Sequence, residues 1–263
     1  MTRDELLEAH AELTQTIRAS ETWDSTYAKA PEHLRRLIEQ EALLQASVTA
    51  YLSDLRQRAL TYVNWSELQL NPVQASDVPN RSDEQWTAEE ALLAAAAAAY
   101  ILNMHVIGAQ AGEVIYNMPV GITDLDEAIL KAAGTRTAAM VKDVTTTTRN
   151  LIRRAVQQSV MQGEDTYALT QRIQRLVASP VRAEMIAQTE SVNAYQAGLD
   201  IFGEQSNVKS WTWSCDGPNP CQLCAPLHGV TKKIGEMFVL ANGAEVSRPA
   251  AHVRCACGRV ANY

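Results

Sequence analysis

CDGPNPCQLCAPLHG (residues 215–229) and PAAHVRCACG (249–258) are the stretches whose reading decides the fold. All five cysteines of the 263-residue chain lie within them. Cys221-x-x-Cys224 forms a knuckle, and twenty-seven residues intervene before His252-x-x-Cys255-x-Cys257. Two close sets of soft donors joined by a short loop are what a tetrahedral Zn²⁺ requires. Each set delivers ligands from one backbone turn, and the ion then closes the loop. The preferred ligands are Cys221, Cys224, His252 and Cys255, with Cys257 as the substitute for His252 or Cys255. If 255–257 is extended, Cys255 and Cys257 share a face, so a four-thiolate set is also within reach. Cys215 is left out, because a Pro-rich turn separates it from Cys221. One alternative is a group of ordinary buried thiols beside a surface histidine. Disulfides are a second, opposed by the odd cysteine count. They are opposed too by the N-terminus, MTRDELLEAHAEL, which is acidic and lacks the apolar core of a signal peptide, so synthesis in a reducing cytosol is expected.

The residues around the knuckle define a small α+β unit. Val208 to Ser214 alternate, with Trp211 and Trp213 on one side, which predicts a strand. Val230 to Leu240 predict a second short strand pair, with Gly235 near its turn. Such a unit is too small for a large core, and a structural metal would supply what burial does not.

The remainder reads as a helical body. Thr2 and Glu5 form a capping box, followed by Leu6, Leu13 and Ile17 on one face with His10 at its boundary. Pro31 opens a second helix, predicted to run to about residue 63. Along it Leu34, Leu37, Leu44, Val48, Tyr51 and Leu55 make a coiled-coil-like seam for another helix or another chain. Residues 1–63 are thus expected as a helical hairpin and 64–86, with Pro72 and Pro79, as a linker. An Ala-rich region over 87–134 opens on a capping box of Thr87 and Glu90. Its stretch 91–112 carries no charge and is long enough to cross a bilayer. Its six consecutive alanines contribute little transfer energy, and Asn103 and His105 interrupt it, so a buried close-packed helix with no stable membrane span is expected. Further helices are predicted over about 123–162, with Gly134 a weak point, and over Thr166–Ala178 with Leu169, Ile173 and Leu176 inward. A last helix runs from Ser179-Pro180 to about Phe202, with Gly203 as C-cap. Its stripe is Val181, Met185, Val192, Tyr195, Leu199 and Phe202; Glu190 falls off it, as a surface charge or an acid near the metal module. The fold class expected is mainly α: a helical body with a small zinc-stabilised α+β C-terminal domain.

RAEMIAQTESVNAYQAG (182–198), KSWTWSCDGPNPCQLCAPLHG (209–229), GEMFVL (235–240) and PAAHVRCAC (249–257) together resemble the C-terminal domain of phage minor head proteins of the Mu F-like, or SPP1 gp7-like, family. The resemblance covers about 135–263, with the zinc knuckle in 203–263. Val253 stands where the family often has Pro, and Ala256 where it has Arg; Arg254 lies two positions earlier. The resemblance implies a virion protein made in the host cytoplasm and lodged in the capsid interior near the portal. It implies a role in head morphogenesis or DNA ejection. The portal protein is the expected partner, with major capsid or scaffold protein beside it.

Residues 209–263 carry a net charge of +3 and the first 208 a net −10. Weak contact of the C-terminal module with packaged DNA is consistent with that asymmetry, although +3 is also ordinary surface charge. A nucleic-acid-binding zinc module is therefore one rival, with Trp211 and Trp213 as stacking candidates. A zinc-dependent or Cys/His enzyme is the other. No P-loop, GxSxG or HExxH occurs, and the donors suffice to close a metal site, which favours structure over catalysis. No catalytic residue is assigned.

Overall fold

The computed structural model describes residues 23–70, 83–215 and 221–263. Thr2, Glu5, Leu6, His10, Leu13 and Ile17, and both prolines of the expected linker, lie outside them. The described chain is mainly helical: α1 Pro31–Arg58, α2 Trp65–Leu70, α3 Asp83–Tyr116, α4 Glu127–Gln162, α5 Thr166–Val177 and α6 Pro180–Gln205. Five short strands follow: β1 Ser210–Ser214, β2 Thr231–Lys233, β3 Phe238–Val239, β4 Glu245–Val246 and β5 Gly258–Asn262. They form a three-stranded antiparallel sheet in the order β2-β1-β5 and a separate β3-β4 hairpin. The chain divides into two compact units, each discontinuous in sequence. One takes Met1–Ala42, Tyr100–Ala133 and Gln188–Tyr263; the other takes Leu43–Ala99 and Gly134–Ala187.

In the first unit, α3 and α6 meet backbone to backbone. A Cβ built on Gly108 would collide with the carbonyl oxygen of Tyr195, and one on Gly198 with that of His105. Glycine is required at both because nothing larger than hydrogen fits. Gly112 likewise lies against the Phe202 ring. Around this contact Val106, Ala109, Ile122, Ile129, Ile201 and Phe202 form a buried cluster, and Tyr116 stacks on Phe202 at 5.7 Å between ring centres. α3 ends at Asn117 with φ 51°, and the Glu113 carboxylate then accepts from the amides of Val120, Gly121 and Ile122. That carboxylate satisfies three loop donors that would otherwise lack partners.

In the second unit, the Ser47 hydroxyl of α1 donates to the Ala96 carbonyl at 2.8 Å, so the alanine run of α3 serves close packing. Glu89 is buried and accepts from Arg58 at 2.6 and 2.9 Å and from the Tyr62 hydroxyl at 2.5 Å. Burial raises its carboxyl pKa, but these donors outweigh burial and hold it below the usual range. Arg182 is buried and donates to the carbonyls of Val177 and Val144 and to the Thr148 hydroxyl. Burial pushes its guanidinium down to about 10. The Val177 carbonyl lies at the end of α5, where a cation suits the helix dipole.

Several expectations change. α1 gives way to a 3₁₀ turn, Ala59–Tyr62, after Arg58. Both ends of the expected linker are helical, as α2 and the start of α3, and Thr87 lies inside α3 rather than at its cap. Gly134 does not interrupt α4. Thr145 and Thr148 stay helical by bonding back to the carbonyls of Val141 and Val144. On α5 Val177, not Leu176, completes the buried stripe, and on α6 Val181 is exposed. α6 continues past Gly203, whose missing side chain makes room for the Trp211 ring. Of the seam residues, Leu37, Leu44, Val48, Tyr51 and Leu55 are buried by the chain itself, while Leu34 is half-buried. Glu84–Tyr116 passes a length-and-composition test for crossing a membrane, and 44% of its most apolar window is buried inside the protein.

The close α3–α6 contact predicts a sharp contrast between two glycine substitutions. Gly198→Ala should lower unfolding stability by about 3 kcal/mol, since the neighbouring backbone cannot yield. Gly134→Ala, where nothing lies within 4 Å of the added methyl, should raise stability by about 0.5–1 kcal/mol. Urea denaturation followed by circular dichroism measures both.

Candidate metal centre

The centre is built from two turns in the first unit. β1 leads through Trp213 into Cys215, and the chain is described again from Cys221. There the amides of Cys224 and Ala225 donate to the Cys221 carbonyl at 3.1 and 2.9 Å. The Cys224 amide also approaches the Cys221 sulfur at 3.4 Å, which orients that sulfur inward. A 3₁₀ turn, Ala225–Leu227, follows, and Gly229 at φ 77° turns the chain back. Reciprocal bonds of 2.9 Å, from the Gly229 amide to the Trp213 carbonyl and from the Trp213 amide to the Val230 carbonyl, pin the knuckle to β1. The β3-β4 hairpin is fastened beside it: the Ala241 amide donates to the Leu223 carbonyl, and Phe238 packs edge-on to Trp213 at 5.0 Å.

The second turn rests on α6. The Ala250 amide donates to Asn193 at 3.4 Å, and the Arg254 amide donates to the Thr189 hydroxyl at 3.1 Å. Arg254 itself adopts φ 61°, and the Cys255 amide closes the turn on the His252 carbonyl. His252 Nδ1 lies 2.8 Å from the Val253 carbonyl oxygen. A carbonyl can only accept, so Nδ1 carries the proton and Nε2 keeps its lone pair. Nε2 lies 2.8 Å from the Cys221 sulfur.

The five residues expected from spacing are therefore brought together as two overlapping triads. Cys221, Cys224 and His252 form one, and Cys224, Cys255 and Cys257 the other, with donor atoms within 4.8 Å of one another in each. Cys224 belongs to both, and its sulfur lies 4.0 Å from that of Cys255. Cys224, Cys255 and Cys257 are buried, while Cys221 is partly exposed at the rim. The thiols compete for charge. Hydrogen bonds from Cys224 and Cys257 hold Cys255 far below the ordinary thiol range. The Cys255 contact pushes Cys224 up, and contacts with Cys215 and then Cys224 push Cys257 up. A divalent cation among these sulfurs would relieve the competition by stabilising several thiolates together. The donor set therefore fits a soft-ligand, tetrahedral metal.

Two participants were not foreseen. Cys215, set aside on the sequence, places its sulfur 3.4 Å from that of Cys257. The segment 23–27, expected within a helical hairpin, docks against the centre instead. Buried Asp24 accepts from the Ser214 hydroxyl at 3.0 Å, and the Tyr27 hydroxyl donates to the Cys257 carbonyl at 2.9 Å. Glu190, read more readily as a surface charge, is buried on α6. The predicted strands of 230–240 both form but do not pair with each other: β2 joins β1, and β3 joins β4. Trp211 and Trp213 are buried in this arrangement, with Arg259 stacked 4.6 Å over Trp211, so neither is open for stacking on bases.

No match to the chain was found among curated proteins or among solved structures. A family model does match: that of the Phage Mu protein F like protein, over residues 150–260, which contain every donor of the centre. Residues 150–260 of this chain are therefore similar to the Phage Mu protein F like family.

Proposed function

We infer that the chain is a minor protein of a phage head, lodged in the capsid interior beside the portal, and that it acts in head assembly or genome delivery. The Mu F-like match over 150–260 carries the reading. Within that region, Cys221, Cys224, His252 and Cys255 would hold one structural Zn²⁺. The metal supplies cross-linking of the two turns. The residues do the rest: Val253 fixes the His252 tautomer, the Cys224 amide orients the Cys221 sulfur, and Thr189 and Asn193 hold the second turn on α6. Four protein donors leave no open coordination position for substrate, which supports a structural centre and no enzymatic activity. Most of the seam of α1 is buried, which supports a partner surface elsewhere on the chain.

Native mass spectrometry of the purified chain should show one zinc per chain, removed by chelator and absent from Cys224→Ser. Zinc in excess of its dissociation constant by about 1,000-fold should stabilise the chain by about 4 kcal/mol in urea. Occupancy should fall as pH drops, because the thiol ligands must lose protons to bind. A chain that binds no zinc at neutral pH refutes the metal reading.

Pull-down of the full chain on purified portal, across a salt series, tests the head assignment. Binding is expected, together with presence of the chain in mature particles. Absence from particles sinks the assignment. Tight, salt-sensitive binding to duplex DNA in place of portal would favour the nucleic-acid reading.

A further inference from the structure

Six donors crowd the centre, and a four-coordinate ion uses four of them. With Cys221, Cys224, His252 and Cys255 engaged, Cys215 and Cys257 remain. They lie opposite each other. The antiparallel ladder of β1 and β5 runs from Ser210↔Asn262 to Ser214↔Gly258, and one further step sets Cys215 across from Cys257. Their sulfurs are 3.4 Å apart, and both residues are buried. Each backbone is held in place: the Cys215 amide donates to His228 Nδ1 at 3.1 Å, and the Cys257 carbonyl accepts from Tyr27 at 2.9 Å. A bonded pair needs about 4.4–6.8 Å between its Cα atoms, and directly opposed residues of an antiparallel pair, about 4.5–5.5 Å apart, fall within that range.

We propose that Cys215 and Cys257 form a cross-strand disulfide, beside the metal and independent of it, when the chain moves from reducing to oxidising surroundings. The oxidant is a low-molecular-weight disulfide such as oxidised glutathione. One protein sulfur attacks it and forms a mixed disulfide, releasing one small thiol. The second protein sulfur then displaces the other small thiol. Two protein S–H bonds and the oxidant's S–S bond are lost; one protein S–S bond and two small-molecule S–H bonds form. The two electrons reside on the released thiols. The inference rests on the ligand assignment above, since a metal held by Cys257 would deny this sulfur to Cys215.

The full chain, loaded with one equivalent of zinc, is equilibrated in glutathione buffers of increasing oxidised fraction. Sub-denaturing urea is included so that buried thiols open. Samples are alkylated, digested and mapped, and bound zinc is measured on the same aliquots. The expected result is one cross-linked peptide pair joining Cys215 to Cys257, with zinc retained. Cys215→Ala should lose the cross-link and keep the metal. No cross-link in the most oxidising buffer overturns the proposal. So does a cross-link that expels zinc in proportion, because Cys257 is then a ligand. A cross-link in a chain that never took up zinc upholds the disulfide and removes the metal reading.

Discussion

The contact of α3 with α6 through Gly108 and Gly198 is the constraint on which the C-terminal architecture depends. Helices packed through ordinary side chains lie about 8–10 Å apart. Here a carbonyl of each helix fills the place of a side chain on the other, so the axes come closer and neither can slide or rotate. That locks the register of α6, and α6 carries the groups that hold the sheet. Asp200 pairs with Arg259 of β5 at 2.7 Å and with Arg248 at 2.8 Å, and Gln196 accepts from Arg259 at 2.9 Å. Thr189 and Asn193, earlier on the same helix, seat the turn that presents His252 and Cys255.

Arg259 is buried, and burial lowers its pKa while Asp200 opposes that effect. Such a pair adds little net stability against an apolar substitute, yet removing one partner leaves an uncompensated charge. Its contribution is positional. Guanidinium geometry admits one arrangement of Gln196, Asp200 and the Trp211 ring, and thereby one placement of β5 on α6. Tyr27 extends the same network, accepting from Gln196 and donating to the Cys257 carbonyl.

The parts of the fold that could be read from sequence were those governed by short-range rules. Pro31 and Ser179-Pro180 open helices because proline suits the first turn, and Trp211 and Trp213 share a strand face because strands alternate. The clustering of the cysteines with His252 was legible because a knuckle and an HxxCxC segment need one turn each. What depends on a distant partner was not. Cys215 was set aside because a Pro-rich turn separates it from Cys221, but strand pairing brings it beside Cys257. Gly203 resembled a helix terminus, although its lack of a side chain serves Trp211. Glu190 carries no local sign of burial, and the Trp23–Tyr27 segment has no periodicity that announces its role.

The bond from Tyr27 to Cys257 spans 230 positions of chain. At a translation rate of about 5–20 residues per second, the intervening residues take roughly 10–50 s to emerge. Until residue 214 is made the carboxylate of Asp24 has no Ser214, and until residue 257 is made the Tyr27 hydroxyl has no Cys257 carbonyl. The early segment therefore waits, unsatisfied, for the late one. This delay favours a chaperone or a neighbouring chain as temporary host for residues 23–27.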